Sequence, residues 1–357
     1  MVRLGKEKVT QSTLAEALQI SRNTVARVLN NQPGVAEHTR KAVLEKAYEL
    51  GYALPGTLGA LEAQTPMRHR EVALLGFSDF LTNFFWSGII QGLEKYLSAQ
   101  GITLRLVLAQ NRQIKAGVLP DSLSIANLDA IIVMGTVSAS YYHLVQQLGL
   151  PTITYDTFYS MLDKQPDMDV ITLNNEEAVA TITERLIQEG HRHIAYVGAL
   201  NSSASFAERR LGFEKVMKQH QLSPIWLPSL ENVEPHGYID VRAFSQELTH
   251  LDNRPTAYVC ANDSIVSTLI YMKKTLPALL GDAALTSFDN FLSVENTAEL
   301  YATVEPFTKQ LGHMMAVQLC TRLQEPTLPY STIRMKTKVL FKEELVSSET
   351  PPHSHLL

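Results

Sequence analysis

Apolar positions in the first fifty residues recur at helical spacing. Leu14, Ala15 and Leu18 form one stripe, Val25, Val28 and Leu29 a second, and Val43, Leu44, Ala47 and Tyr48 a third. The first two stripes begin with the same device. Thr10 can cap a helix, with Val9 before it and Leu14 four positions in; Ser21 can cap the next, with Ile20 before it and Val25 four positions in. Only Gln19 and Ile20 separate Leu18 from Ser21, so these two helices join by a tight turn. The third helix follows Pro33-Gly34 and stops at Gly51, a residue that tolerates the left-handed conformation of a helix end. Two short helices on a tight turn, closed by a third, describe a helix-turn-helix unit, although the spacing alone fits a generic three-helix bundle equally well. In the first reading Arg22, Asn23, Ala26 and Arg27 lie off the apolar stripe and face outward. Arginine can pair bidentately with guanine and asparagine with adenine.

From Glu71 onward the pattern becomes alternation of apolar strands and amphipathic helices. Strands are predicted at 71–77, 102–109, 129–135, 151–156, 193–198, 256–263 and 283–290, and helices at 87–101, 137–149, 178–190, 206–220, 264–274 and 308–323. Continuous apolar strands between helices imply parallel sheets covered on both faces. The stretch is long for one open sheet, so two α/β subdomains are expected. Ligands of such sheets bind beyond the carboxyl ends of the strands. The polar residues there are Ser78, Asp79, Asp156, Arg209, Asn262, Asp263, Asp289, Asn290 and Glu305. Any one of them could be a simple helix cap. Together, with aromatic neighbours, they suit a polyhydroxyl ligand.

Composition narrows the picture. A length of 357 residues fits two or three domains. Two cysteines, Cys260 and Cys320, exclude a disulfide framework or paired-cysteine zinc site and fit a reducing compartment. With no apolar run long enough to span a bilayer and no secretory leader, a soluble cytoplasmic protein without a membrane partner is expected. Net charge is −5, yet residues 1–55 hold eight basic and five acidic side chains, leaving 23 basic and 31 acidic for the rest. A basic head on an acidic body points the head alone at a polyanion.

Residues 9–52, VTQSTLAEALQISRNTVARVLNNQPGVAEHTRKAVLEKAYELGY, strongly resemble the N-terminus of the lactose-repressor (LacI/GalR) family of transcription regulators. The body is also similar to that family's effector domain and to periplasmic sugar-binding proteins, through GHRHIAYVG, ERRLGFEKVM, PTAYVCANDSIV, LTSFDN, TVEPFTKQLG and TKVLFKEE in the expected order. The resemblance implies an all-α helix-turn-helix domain at 1–55, a hinge at 56–70, and a periplasmic-binding-protein-like α/β body at 71–342. The body would comprise two Rossmann-like subdomains, about 71–160 plus 292–322 and 161–291 plus 323–342, followed by a tail at 343–357. It further implies that Arg22, Asn23 and Arg27 read bases, and that Thr10, Ser21, Thr24, Asn30 and Thr39 contact the DNA backbone or position helices. Asp156, Arg209, Asn262 and Asp289 would be polar effector ligands, Ser78, Phe84 and Trp86 would line one side, and Tyr238 and Glu305 are further candidates. Arg, Asn and Asp together favour a sugar over a purine. The partners implied are pseudo-palindromic operator DNA, a carbohydrate-like effector and a second copy of the chain.

Two departures stand out. Ala36 replaces the family's usual serine cap, a change worth about 1 kcal/mol. The hinge carries Gly56 and Gly59, each costing about 1 kcal/mol of helix propensity against alanine. Leu61 stands where the family places a minor-groove wedge, with Leu58 as rival and a plain linker as alternative. The tail lacks a leucine heptad, against a coiled-coil tetramer.

No nucleophile elbow, P-loop or dinucleotide motif is present, so an enzyme is not expected, nor a cofactor. His191 and His193 open a strand without the further ligands a metal needs. The competing reading is a sugar-binding protein or sugar-active enzyme with an incidental helical head.

Overall fold

The computed structural model describes residues 10–29, 35–50, 70–77, 84–135, 138–157, 167–198, 203–227 and 239–347. The chain divides into two compact units, Met1–His69 and Arg70–Leu357.

In the first unit, helices α1 (Gln11–Leu18), α2 (Arg22–Leu29) and α3 (Glu37–Leu50) form where the apolar spacing places them. Thr10 starts α1 as a reciprocal capping box. Its hydroxyl accepts from the Thr13 N–H at 3.3 Å, and its own N–H donates to Thr13 Oγ1 at 3.1 Å. Gln19 ends α1 in the left-handed conformation with φ 53°, and the Ile20 N–H reaches back to the Ala15 carbonyl at 3.1 Å. Ser21 then caps α2 by accepting from the Thr24 N–H at 3.0 Å. Leu14, Ala15, Val25, Val28, Leu29, Val43 and Ala47 are buried together, with Leu18, Ile20 and Val35 packed against them. The turn is thereby fixed on both sides by caps and beneath by a shared core.

The second unit is built on two sheets. The first has the order β10-β5-β4-β3-β1-β2, and its strands are β1 (Arg70–Phe77), β2 (Ile102–Ala109), β3 (Ala130–Met134), β4 (Thr152–Tyr155), β5 (Asp169–Leu173) and β10 (Thr332–Met335). Every pairing in it is parallel. The second has the order β11-β9-β8-β7-β6, with β6 (Ile194–Val197), β7 (Ala257–Cys260), β8 (Ala284–Thr286), β9 (Ala302–Glu305) and β11 (Lys338–Phe341); only β11 runs antiparallel, beside β9. The main helices are α4 (Phe84–Ala99), α5 (Ala139–Gln146), α6 (Asn175–Gln188), α7 (Ala204–Gln219), α8 (Val241–Thr249), α9 (Asp263–Thr275) and α10 (Thr308–Gln324). β3, β4, β5, β6 and β7 are buried along their whole length, as strands covered on both faces must be.

The strands depart from the subdomain boundaries expected at the sequence level. β5 and β10 belong to the first sheet, although 161–291 and 323–342 were expected in the second lobe; β9 belongs to the second sheet, although 292–322 was expected in the first. The chain therefore crosses between sheets after β5, after β9 and again between β10 and β11. The helix following β9 does return to the first lobe. A Cβ on Gly92 of α4 would come within 2.0 Å of the Lys309 carbonyl oxygen, and one on Gly312 of α10 within 2.0 Å of the Ile89 carbonyl oxygen. Only glycine permits so close an approach of two helix backbones.

Candidate functional site

In the head, Thr10, Ser21, Arg22 and Asn23 are exposed, with Arg22 and Asn23 in the first turn of α2. The N–H groups left over at a helix N-terminus favour an anion such as a phosphate, and arginine and asparagine there can meet base edges. Thr24 is half-buried, and its hydroxyl shares a 2.8 Å hydrogen bond with that of Ser21. Arg27 is half-buried in the last turn of α2, and Thr39 is half-buried in the first turn of α3. Ser21 and Thr24 thus have structural partners of their own. Asn30 and Leu61, like Leu58 and residues 56–69 of the expected hinge, lie outside the described residues, whereas Arg70, expected in the hinge, opens β1.

In the body, the carboxyl ends of β4, β7 and β8 supply the polar residues, and α7 joins them. Asp156 directly follows β4 in a left-handed conformation with φ 61°. Its Oδ1 accepts from the N–H groups of Thr157 (2.7 Å) and Ser205 (3.0 Å), and its Oδ2 from the Ser205 hydroxyl. The Ala204 N–H donates to the Thr157 carbonyl at 2.8 Å. The end of a first-sheet strand is thus docked on the N-terminus of α7, which carries Arg209. Burial pushes the Asp156 carboxyl above its ordinary range, although these hydrogen bonds and the Arg209 charge oppose it.

Arg209 is 2% exposed. Its Nε donates to Asn175 Oδ1 at 3.0 Å and its Nη1 to the Ala261 carbonyl at 2.6 Å, while Asp289 Oδ1 stands 3.9 Å from Nη1. The guanidinium lies 3.5 Å from the Phe288 ring centroid and 5.3 Å from that of Phe206. Asn262, beside Ala261, caps α9 by accepting from the Ile265 N–H at 3.0 Å. Asp289 and Asn290 have positive φ, 107° and 51°, conformations that cost energy outside glycine. Their turn is clamped from two sides. Asp263 accepts from the Ser287 hydroxyl and, at 2.7 Å, from the Phe291 N–H. Glu305 Oε2 accepts from Asn290 Nδ2 at 2.7 Å, and its Oε1 from the Phe307 N–H at 2.8 Å. Burial holds the Asp289 carboxyl well above the usual range despite Arg209, with the Asp263 and Glu305 charges adding to it. Burial likewise pushes Asp263 up to about 7.

The structure thus brings Asp156, Arg209, Asn262 and Asp289 into one constellation, with Glu305 bracing it through Asn290. Phe84 is 60% exposed, whereas Trp86 is buried, edge-on to Tyr155 at 5.7 Å and to Phe85 at 5.1 Å. Trp86 therefore packs in an aromatic cluster with Phe85 and Tyr155, the residue before Asp156. Ser78 and Tyr238 lie outside the described residues. Four contributors were not singled out as site residues in the sequence: Asn175, Ser205, Phe206 and Phe288. Asp263 stood among the strand-end residues without a ligand role, and its clamping of the turn 28 residues away leaves no local trace. His191 shares a hydrogen bond with Thr256 Oγ1 at 2.8 Å, a strand-edge role. Among the described residues no group of three or more His, Cys, Asp or Glu could hold a metal. No described helix is long and apolar enough to cross a membrane.

Comparison with known proteins follows the same division. Residues 14–54 match the model of the bacterial regulatory proteins of the lacI family, and residues 183–343 match a periplasmic binding protein-like domain. A probable HTH-type transcriptional repressor, ExuR of Bacillus subtilis (strain 168), is 23% identical over 348 residues, covering 94% of this chain and 98% of its own. The HTH-type transcriptional repressor PurR of Vibrio vulnificus (strain CMCP6) is 26% identical over 322 residues, 88% of this chain and 92% of its own. Among solved structures, a lac repressor dimer bound to operator and the anti-inducer ONPF shares the fold with TM-score 0.65 at 19% identity, over 95% of this chain and 99% of that one. A transcriptional regulator CelR in complex with cellobiose gives TM-score 0.62 at 19% identity, over 94% and 99%. A lacI-family regulator from Enterococcus faecium with bound ribose gives 0.61 at 20%, over 76% and 98%.

Proposed function

This chain belongs to the lacI family of bacterial regulatory proteins, and from that membership we propose that it is a transcriptional repressor whose operator affinity is set by a small sugar or sugar derivative held around Arg209. It acts as a homodimer, because one helix-turn-helix reads one half-site and two-fold symmetry matches a palindromic operator. The observation that carries the reading is the joint presence, on one chain, of a capped α2 exposing Arg22 and Asn23 and of a buried Asp156–Arg209–Asp289 constellation beside Asn262. The first supplies base-edge donors; the second supplies acceptors and donors for hydroxyls with an aromatic face beside them. Occupation of the constellation favours one arrangement of the two lobes and so changes the DNA affinity of the dimer; a coupling of about 1–3 kcal/mol suffices for a 5–150-fold response.

The charge balance of the constellation favours an uncharged ligand. Among the described residues Arg209 is the one cation acting on Asp156, Asp263 and Asp289, and its Nε and Nη1 already donate to protein oxygens. A carboxylate or phosphate would find no bidentate guanidinium edge and no second cation among these residues. Thermal-shift measurement with neutral sugars (cellobiose, ribose) and anionic ones (a hexuronate, a sugar phosphate) tests this. A neutral sugar is expected to raise the melting temperature, and Arg209→Ala to abolish the shift while leaving operator binding intact. Stabilisation by the anionic sugars alone, or a shift that survives Arg209→Ala, contradicts the assignment.

A further inference from the structure

We infer that Asn175, Glu208 and Arg334 are positioning residues for Arg209, and that they tie its orientation to the chain crossovers between the two lobes. The inference deepens the proposed function, since it takes Arg209 as a ligand contact.

The links form an unbroken series. Arg209 Nε donates to Asn175 Oδ1 at 3.0 Å. Asn175 Nδ2 donates to Glu208 Oε2 at 2.9 Å and to the Leu173 carbonyl at 3.1 Å. Arg334 Nη2 donates to Glu208 Oε1 at 2.8 Å, and its Nη1 donates to the same Leu173 carbonyl at 3.2 Å. Asn175 is fully buried, and the Glu208 side chain is 12% exposed.

Chemistry dictates the direction of each link. A carboxylate and a carbonyl only accept, so the Asn175 amide must turn its Nδ2 toward Glu208 and Leu173. Its oxygen is then presented to Arg209. An aspartate at 175 has no donor for Glu208, and an aliphatic side chain offers neither group. Glu208 divides its two oxygens between Arg334 and Asn175, and no other residue type bridges an arginine and an amide donor in this way except aspartate, whose stem is shorter.

Placement gives the series its consequence. Leu173 is the last residue of β5, and Asn175 opens α6, so these two residues are the point where the chain leaves the first sheet for the second lobe. Arg334 lies in β10 of the first sheet, and the chain runs on from there into β11 of the second. Glu208 and Arg209 are neighbours on α7, on the side of the second sheet. A rotation of the first lobe about its crossovers therefore displaces Arg334 and Leu173 relative to Glu208. That displacement reaches the guanidinium through one amide. By linkage, a ligand that fixes Arg209 biases the arrangement at the crossovers.

The test uses the full-length protein labelled with 15N-arginine and needs no ligand. The Arg209 Nε–H resonance, assigned by its disappearance in Arg209→Lys, reports the hydrogen bond to Asn175. Its solvent exchange is expected to quicken by about tenfold or more in Asn175→Ala, Glu208→Gln and Arg334→Met, as loss of a charge-assisted hydrogen bond requires. Backbone amides of α7 are expected to keep wild-type exchange, and Arg334→Lys to restore part of the protection. Wild-type exchange of Nε–H in Glu208→Gln and Arg334→Met overturns the proposal. So does an equal quickening of the α7 amides, which marks general loosening instead of positioning. If Arg334→Met fails to fold, Glu208→Gln decides alone. An error in the ligand role of Arg209 shows elsewhere, as a sugar-induced thermal shift that survives Arg209→Ala, and leaves the exchange result standing.

Discussion

The carboxylate of Asp156 accepts from both the N–H and the hydroxyl of Ser205, 49 residues away along the chain. One residue ends a strand of the first sheet; the other lies in the first turn of the helix that carries Arg209. The contact therefore joins the lobes at the constellation itself. Removing the Ser205 hydroxyl or the Asp156 carboxylate leaves buried polar groups without partners, at a cost of about 1–3 kcal/mol each. In a double-mutant cycle on urea stability, Asp156→Ala and Ser205→Ala are expected to couple by about 0.5–3 kcal/mol. Strict additivity would contradict the contact.

Arg322 and Asp169 make a second cross-chain clasp, with Nε and Nη2 donating to the two carboxylate oxygens at 2.8 and 3.1 Å. Both are almost fully buried. Arg322 also donates to the carbonyls of Pro326, Leu328 and Pro329, and the Ser331 N–H donates to Asp169 at 2.9 Å. The clasp thus seats β10 beside β5. Arg322→Met strands a buried carboxylate, so a loss of about 3–5 kcal/mol is expected in chemical denaturation. A loss below about 1 kcal/mol would show that β10 is held by other contacts.

Asp263 gives a pH prediction whose sign is fixed. Its folded-state pKa of about 7 lies above the ordinary 3.8. Between those values the folded protein binds more protons than the unfolded chain, so this contribution to stability is complete at low pH and is lost as pH rises from about 4 to about 7. Asp263→Asn keeps an acceptor for the Phe291 N–H and removes the titration. Melting temperatures measured across that window are expected to fall less steeply with rising pH in the variant; identical slopes would place the titration elsewhere.

Across its described residues the head was legible, because helix caps and apolar stripes are local signals. Thr10, Gln19-Ile20 and Ser21 behave as their spacing requires. The strand-end residues of the body were legible for a similar reason, since an apolar run followed by Asp or Asn marks a strand and its exit. What could not be read was pairing. β5, β9 and β10 interleave polar residues with apolar ones, as in DVITL, ATVE and TIRM, so no continuous apolar run marks them, and no local feature tells which sheet such a strand joins. Asp156 was visible and Ser205 was not, because a serine at a helix start looks like any cap. Trp86 suggested a ligand face by its chemistry, and the structure packs its ring against Phe85 and against Tyr155, the latter a contact between residues far apart in sequence that no local pattern announces.

The most direct test of the whole account is a fluorescence-anisotropy titration of the purified protein against DNA from its own promoter region, with scrambled DNA as competitor. The wild type is expected to bind that DNA preferentially and to change affinity when a stabilising sugar is added. Arg22→Ala combined with Arg27→Ala is expected to lower specific affinity by about tenfold or more, each base contact being worth about 1–3 kcal/mol, without altering the sugar-induced thermal shift. Equal binding to scrambled DNA, or an affinity unchanged by the double substitution, would contradict the reading of α2 as the helix that enters the groove.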